Sequence, residues 1–379
     1  MLRVLTLACL LLAVPVLGVL GSWLALDAGA LAVLRHQAQT VLPDYAANSL
    51  WLVLIVGVGV AAVGGATAAL VTLFDFAGRR FFEWALLLPL AMPAYVLAYA
   101  ATDFLQFSGP LQTALRAATG AQGALWPDVR SLGGAAVLFV LCLYPYVYVL
   151  TRTALSERGV QLMEAARLLG AGTGRRVREV ALPLARPAIA AGVALALMET
   201  LADYGVTSYF GLQTFTTGIY KAWLVMNDST AAAQLASILL AVVAALLWLE
   251  RRAQRRMRYT TGRNAVMNGN EARPLKLHGV PAALALLACA LPVLLGFVLP
   301  LAVLLRLLWQ EGQGSMAVPP DTLARFAQWA WTSFKLAGLA AVFAMLVALG
   351  LGFALRTRPA GRCAGPRAWC RWVTRCRGR

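Results

Sequence analysis

The chain has 379 residues, of which 60% are hydrophobic and 13% charged, and its net charge is +17. Soluble domains carry about 25% charged residues, so this composition excludes an ordinary soluble fold. Nucleic-acid binding is not indicated either, because the basic residues are spread over the short segments between apolar runs.

Eight apolar runs follow one another along the chain, each near the roughly 20 residues that a helix needs to cross a bilayer. The runs lack strand-like alternation, and a backbone in lipid must satisfy its own hydrogen bonds, so helices are expected. The sequence therefore predicts an all-α membrane protein embedded in the lipid bilayer. The predicted spans are residues 4–26, 50–74, 85–106, 132–151, 187–209, 232–249, 281–305 and 331–355.

The distribution of positive charge predicts the orientation. With a cytoplasmic N-terminus, the cytoplasmic segments up to residue 276 hold 18 Lys and Arg residues, and the opposite segments hold 7. This is the positive-inside bias of multi-pass proteins. A cleaved secretory signal ending near Ala28-Gly29-Ala30 is the alternative for the first run. That run exceeds the 7–15 residues of a typical signal core, which favours an uncleaved span.

The basic loop at residues 152–186 contains a spaced motif of seven residues. The motif is an E-A-A triplet, a glycine, a branched aliphatic residue and an L-P pair: Glu164, Ala165, Ala166, Gly170, Val180, Leu182 and Pro183. This spacing resembles the cytoplasmic coupling loop of ABC-importer permeases, the EAA loop. We expect a first helix that ends at Gly170, and a second short helix from Arg175 to Ala181 that Pro183 and Pro187 stop. Apolar contacts with an ATPase are expected from Leu168, Leu169 and Val180.

A second resemblance narrows the family. The segment from Glu199 to Trp223 is similar to the segment after the coupling loop in ferric-iron ABC permeases, which are fused proteins with two six-span halves. The resemblance implies an inner-membrane location, a periplasmic substrate-binding protein as donor and a cytoplasmic ABC ATPase dimer as motor. Permeases for sulfate, polyamines, thiamine or phosphonates share the first motif, so these substrates stay open.

The order of elements predicts four segments. Residues 1–250 form a complete six-span unit, and residues 251–279 form a cytoplasmic linker. Residues 280–357 repeat the first two spans of the unit, so a second permease unit is incomplete or supplied by another chain. Parallel repeats of this kind are common in transporters. A non-transporting remnant is the alternative to a working permease.

The segment 358–379 departs from the family pattern. It is rich in Arg, Cys, Gly and Trp, and it has neither an acidic residue nor an apolar run. We expect an out-of-frame sequence here. The alternative is a genuine basic tail that binds anionic lipid headgroups.

Three residues are candidates for the translocation path: Glu199, Asp203 and Tyr209. Glu199 and Asp203 lie four residues apart in the fifth predicted span, which places both on one helix face. Ionisable groups inside a membrane are costly and are functional candidates by default. The alternative is that both lie near the outer mouth, bonded to backbone or to Thr200 and Tyr204.

No catalytic site, cofactor or metal site is predicted. The chain has no G-x-x-x-x-G-K-[ST] phosphate loop, so ATP hydrolysis is assigned to a partner subunit. His36 and His278 are far apart in the sequence, and no cysteine pair has metal-ligand spacing. Prolines inside the predicted spans, Pro89 and Pro93 among them, are expected to kink helices or to fit the shape of the bundle.

Overall fold

The fold is described from a computed structural model, which covers residues 2–24, 39–255, 275–313 and 320–356. These residues are almost entirely helical, as the sequence predicts. They divide into two compact units: the described residues within 22–307 form the larger one, and those within 1–21 and 308–379 form the other.

The elements follow in chain order. The part up to residue 131 contains α1 (Leu2–Gly21), a 3₁₀ turn (Ser22–Leu24), α2 (Leu42–Leu73), β1 (Phe74–Asp75), α3 (Arg79–Ala85), a 3₁₀ turn (Leu88–Ala91), α4 (Ala94–Leu105) and α5 (Pro110–Thr119). The next part contains α6 (Leu132–Leu168), α7 (Thr173–Arg176), a π-helix (Val177–Ala181), α8 (Leu182–Ala202), α9 (Gly205–Tyr209), α10 (Phe215–Tyr220), a π-helix (Lys221–Val225) and α11 (Ser229–Arg255). The last part contains β2 (Leu275–Lys276), α12 (Val280–Val293), a π-helix (Leu294–Val298), α13 (Leu299–Gln313) and α14 (Pro320–Arg356).

Six helical stretches among the described residues are long and apolar enough to cross a membrane. They are Leu42–Leu73, Leu132–Ser156, Thr173–Ala202, Ser229–Trp248, Val280–Gln310 and Ala324–Gly350. A bent pair of helices passes the same test only when its two parts are taken together, as a broken span or a re-entrant loop. The first predicted run forms α1, whose described apolar stretch, Ala13–Leu24, is shorter than these spans.

The third predicted span, residues 85–106, is not one continuous helix. The chain runs as Arg79–Ala91 and then Ala94–Thr119, and the two parts meet at an angle of 90°. Pro89 and Pro93 lie at the break. Because proline removes a backbone donor and clashes with the preceding turn, the α-helical ladder ends here and a 3₁₀ turn replaces it.

The core of the larger unit forms where α2 and α8 pack on α6. Val56, Val60 and Tyr144 are completely buried there. A Cβ at Gly64 would lie 2.7 Å from the Tyr144 carbonyl oxygen, and one at Gly192 would lie 2.5 Å from a Cα of α6. Glycine at these two positions lets the helix backbones approach closely, which is how apolar membrane helices gain packing energy.

The end of the predicted linker and the helix after it pack back on the first helices. β2 pairs in parallel with β1, with Phe74 opposite Leu275 and Asp75 opposite Lys276. Helix α12 then packs against α2 and α3. The predicted unit boundary between residues 250 and 280 remains a prediction. Most of the linker and the whole segment 358–379 lie outside the described residues.

Candidate functional site

The first half of the predicted coupling loop (residues 152–186), here called its outgoing arm, is the end of α6. The apolar part of this helix ends at Ser156, and the helix extends from there to Leu168. The E-A-A triplet therefore lies in the last helical turns, beyond the apolar part, with Glu164 and Ala165 exposed. Leu168 and Leu169 follow, with 85% and 88% of their surface exposed. Two leucines so exposed at the end of a helix form an apolar contact surface.

The turn at the tip depends on Gly170. Its φ is +83°, in the left-handed region that glycine adopts without a steric penalty. Its N–H donates to the Arg167 carbonyl at 2.9 Å, and the Ala171 N–H donates to the Ala166 carbonyl at 3.0 Å. These bonds close the helix end in the manner of a glycine C-cap. No atom lies within 4 Å of a Cβ built at Gly170, so backbone conformation, not space, selects glycine.

The return arm differs from the sequence-based expectation. Pro183 and Pro187 do not stop the second helix, because Thr173–Ala202 runs as one helical stretch through both. The π-helix at Val177–Ala181 directly precedes α8, and Pro183 lies in the first turn of α8. Proline has no N–H to donate, so α8 tolerates Pro183 in its first turn, where the hydrogen-bond register changes from π to α; Pro187 lies inside α8.

A small buried cluster joins the two arms at their base. Its members come from α2, α6, the π-helix and α8: Leu73, Leu155, Met163, Ala181 and Ala185. Val180 is half-buried and packs against this cluster. It therefore stabilises the base of the loop and does not join the exposed tip, which corrects its expected role as an apolar contact beside the two leucines. Leu182 remains 44% exposed.

Basic side chains surround the tip. Arg167 and Arg178 are exposed, and Arg175 forms an exposed ion pair with Glu179 at 2.9 Å. Arg176 is instead 6% exposed and donates to the Thr173 hydroxyl at 3.0 Å. The loop thus carries two exposed leucines among basic side chains. Such a surface is complementary to an acidic protein surface with an apolar pocket.

The two carboxylates lie at the end of α8, where the Asp203 N–H donates to the Glu199 carbonyl at 3.0 Å, and their shared helix face remains a prediction. Helix α8 ends at Ala202, and Asp203 adopts an extended backbone with φ −71° and ψ 125°. Its carboxylate accepts the Val206 N–H at 2.8 Å, and its carbonyl accepts the Thr216 hydroxyl at 3.0 Å. Asp203 therefore organises the break between α8 and the short helices that follow. Glu199 is exposed on the last turn of α8.

Tyr209 lies in a cluster that sequence reasoning missed. Its ring packs edge-on against Tyr95 at 5.5 Å and tilted against Tyr99 at 6.3 Å. The Arg130 guanidinium lies 4.7 Å from the Tyr209 ring centre and donates to its hydroxyl at 3.2 Å. Since Arg130 is 79 positions away in the chain, no local pattern indicates this pairing.

A cavity of about 310 Å³ lies beside this cluster. Polar side chains in its wall include Gln106, Ser108, Asp128 and Arg130. The backbone N–H of Arg130 donates to the Asp128 carboxylate at 3.0 Å, which fixes the turn of chain that carries Arg130 into the wall. Both features lie at the end of the larger unit where α8 ends and α6 begins, opposite the coupling loop.

Comparison with known proteins identifies the family. The profile described as "Binding-protein-dependent transport system inner membrane component" matches residues 61–259. The Fe(3+)-transport system permease protein FbpB 2 of Haemophilus influenzae is 25% identical over 195 residues, which cover 52% of this chain and 34% of that protein. The molybdenum transport system permease protein ModB of Escherichia coli K12 is 29% identical over 191 residues, covering 48% and 81%. The sulfate transport system permease protein CysT of Salmonella typhimurium is 28% identical over 186 residues, covering 48% and 65%.

A solved structure shares the fold. It is the crystal structure of a bacterial ABC transporter involved in the import of the acidic polysaccharide alginate, with a TM-score of 0.55 and 14% identity. The match covers 68% of this chain and 96% of that one. By contrast, the chain spans only about a third of the length of its Fe(3+)-transport relative. The chain belongs to the family of binding-protein-dependent transport system inner membrane components.

Proposed function

We propose that this permease imports ferric iron, which a periplasmic binding protein delivers and an ATPase dimer drives across the inner membrane. Two similarities support iron: the relative named as an Fe(3+)-transport permease, and the segment from Glu199 to Trp223 that resembles ferric-iron permeases. In this proposal the coupling loop faces the cytoplasm, as does the N-terminus.

The geometry of the coupling loop is the observation that carries the transport function. The seven motif residues from Glu164 to Pro183 lie on a helical hairpin that extends beyond the apolar span. Leu168 and Leu169 form its exposed tip. A hairpin fixed by a buried base and a glycine turn is rigid enough to transmit force from an ATPase to α6 and α8.

The outer end supplies the candidates for the translocation path. Glu199 is the exposed carboxylate on the last turn of α8, and a carboxylate suits a hard trivalent cation. Asp203 shapes the break in the chain just beyond it. Tyr209, held between α4 and Arg130, closes the same end. We propose that these three groups contact the cargo or gate its entry.

An oxyanion importer is the second candidate, and Arg130 favours it. Its guanidinium is exposed beside Tyr209, and a permanent positive charge there attracts an anion and opposes a trivalent cation. Relatives named as permeases for sulfate and for 2-aminoethylphosphonate make this class relevant.

Uptake assays separate the two candidates. Cells that express the complete transporter are given radiolabelled ferric iron or radiolabelled sulfate, with and without the other unlabelled species as competitor. The iron proposal predicts iron uptake that falls with Glu199→Gln and rises or stays unchanged with Arg130→Gln. Sulfate uptake that depends on Arg130 and not on Glu199 refutes it.

A further inference from the structure

The segment that precedes α12 packs against the helices before it through alternate side chains. Leu275 and Leu277 are half-buried, and Lys276 between them is exposed. This alternation is that of a β-strand with one face buried. The Leu277 N–H donates to the Asp75 carbonyl at 2.9 Å, which extends the short parallel pairing of β1 and β2.

The two leucines contact different parts of the core. Leu277 packs against the main core of the larger unit. Leu275 packs against the small cluster at the base of the coupling loop, the cluster that holds Met163 of the outgoing arm and Ala181 of the return arm. Met163 immediately precedes Glu164, and Ala181 immediately precedes Leu182. A residue about 90 positions beyond the loop therefore packs against the cluster at the loop base.

The connection from Leu275 to the next span is short. Only residues 277–279 separate β2 from α12, which packs against α2 and α3. Gly279 has a φ of +65° and marks the turn into that helix. The connecting segment therefore has few rotatable bonds that could absorb a movement of Leu275. A displacement of the loop base that moves Leu275 is expected to move α12 as well.

We propose that Leu275 is a positioning residue for ATP-driven transport. It closes the base of the coupling loop and carries loop displacement through β2 into α12. The inference rests on the proposed coupling role of the loop and is independent of the cargo.

The first measurement is tryptic cleavage in everted membrane vesicles that hold the full chain with its ATPase partner. Arg167, Arg175 and Arg178 are cleavage sites in the loop. Leu275→Ala removes three half-buried carbons, and we expect about tenfold faster cleavage per inserted chain, since about 1.4 kcal/mol corresponds to a factor of ten. Only fragments cut within the loop are scored, because Lys276 is itself a tryptic site; by this measure Lys276→Ala, on the same strand but exposed, should cleave at the wild-type rate.

The second measurement separates positioning from packing. It is the ratio of ATP hydrolysis with and without the cognate periplasmic binding protein. We expect Leu275→Ala to lower this ratio towards one, and Leu275→Ile, which keeps the apolar volume, to restore it.

The outcomes decide between the roles. Equal behaviour of Leu275→Ala and Lys276→Ala in both measurements overturns the proposal. Faster cleavage with an unchanged hydrolysis ratio also overturns it, because Leu275 is then only a packing residue. If the wild-type chain recruits no ATPase, the coupling function fails instead, and the cleavage comparison still tests whether Leu275 holds the loop.

Discussion

The left-handed turn at Gly170 allows a test of the coupling loop by a single added methyl group. The same substitution at a neighbouring glycine is the matched control. Gly170→Ala forces an L-residue to keep φ +83°, which costs roughly 1–2 kcal/mol. No steric term is added, because no atom lies within 4 Å of the new Cβ. The variant therefore perturbs only the backbone of the turn.

Gly172 is the control. It also has no atom within 4 Å of a Cβ, but its φ is −64° and its ψ is 159°, which alanine adopts freely. Gly172→Ala should leave the turn unchanged. Gly170→Asn should fall between wild type and Gly170→Ala, since asparagine tolerates the left-handed region better than alanine does.

The assay is titration of the purified ATPase onto membranes that hold equal amounts of each variant. If docking requires the native turn, the penalty appears in the affinity. The dissociation constant for Gly170→Ala should then rise about five- to thirtyfold, by the relation of tenfold per 1.4 kcal/mol. Equal dissociation constants for Gly170→Ala and Gly172→Ala refute the idea that this turn sets the docking surface.

Three further predictions concern packing and the outer end. Gly64→Ala should lower the free energy of unfolding of the detergent-solubilised chain by about 1–3 kcal/mol through overpacking. Gly65→Ala, whose Cβ meets its nearest atom at 3.5 Å, should not lower it. Equal melting temperatures for the two variants would contradict the close packing of α2 on α6. Asp203→Asn keeps a side-chain acceptor for the Val206 N–H and should preserve the protein level. Asp203→Ala loses this acceptor and should lower the free energy of unfolding by about 1 kcal/mol. If both variants melt at the same temperature, the Asp203 side chain does not organise the break after α8. Tyr209→Phe removes the hydroxyl that holds Arg130, and it should raise the alkylation rate of a cysteine placed at Ser108 in the cavity wall. An unchanged rate would show that the hydroxyl contact does not restrict access to the cavity.

The sequence alone was sufficient for the helical membrane class and for the position of the turn at Gly170. The described parts of the predicted apolar runs are mainly helical, although the runs at 85–106 and 187–209 are each broken, because a backbone in lipid must satisfy its own hydrogen bonds. Gly170 could be assigned to the turn from its place in the motif, since glycine is the residue that a left-handed helix end requires. These are local properties, and they can be read from neighbouring residues.

Local rules were misleading where a neighbour in the chain changed the outcome. Pro183 and Pro187 indicated a helix end, but the preceding π-helix changes the hydrogen-bond register and the helix continues. The apolar run at residues 187–209 indicated one helix, but α8 ends at Ala202 and Asp203 bonds to the next turn of chain. Periodicity arguments fail in this way when a helix boundary falls inside the window.

Other features were decided only by the tertiary structure. The contact of Arg130 with Tyr209 joins residues 79 positions apart, and the pairing of β1 with β2 brings Leu275 beneath a loop from an earlier part of the chain. Neither contact leaves a local trace, because one arginine or one leucine fits many surroundings. Hydrophobic length and glycine chemistry thus determine which segments are helices and where the coupling loop turns. Which side chains meet at the loop base and at the outer end depends on how the helices pack, since only packing brings distant residues within contact distance.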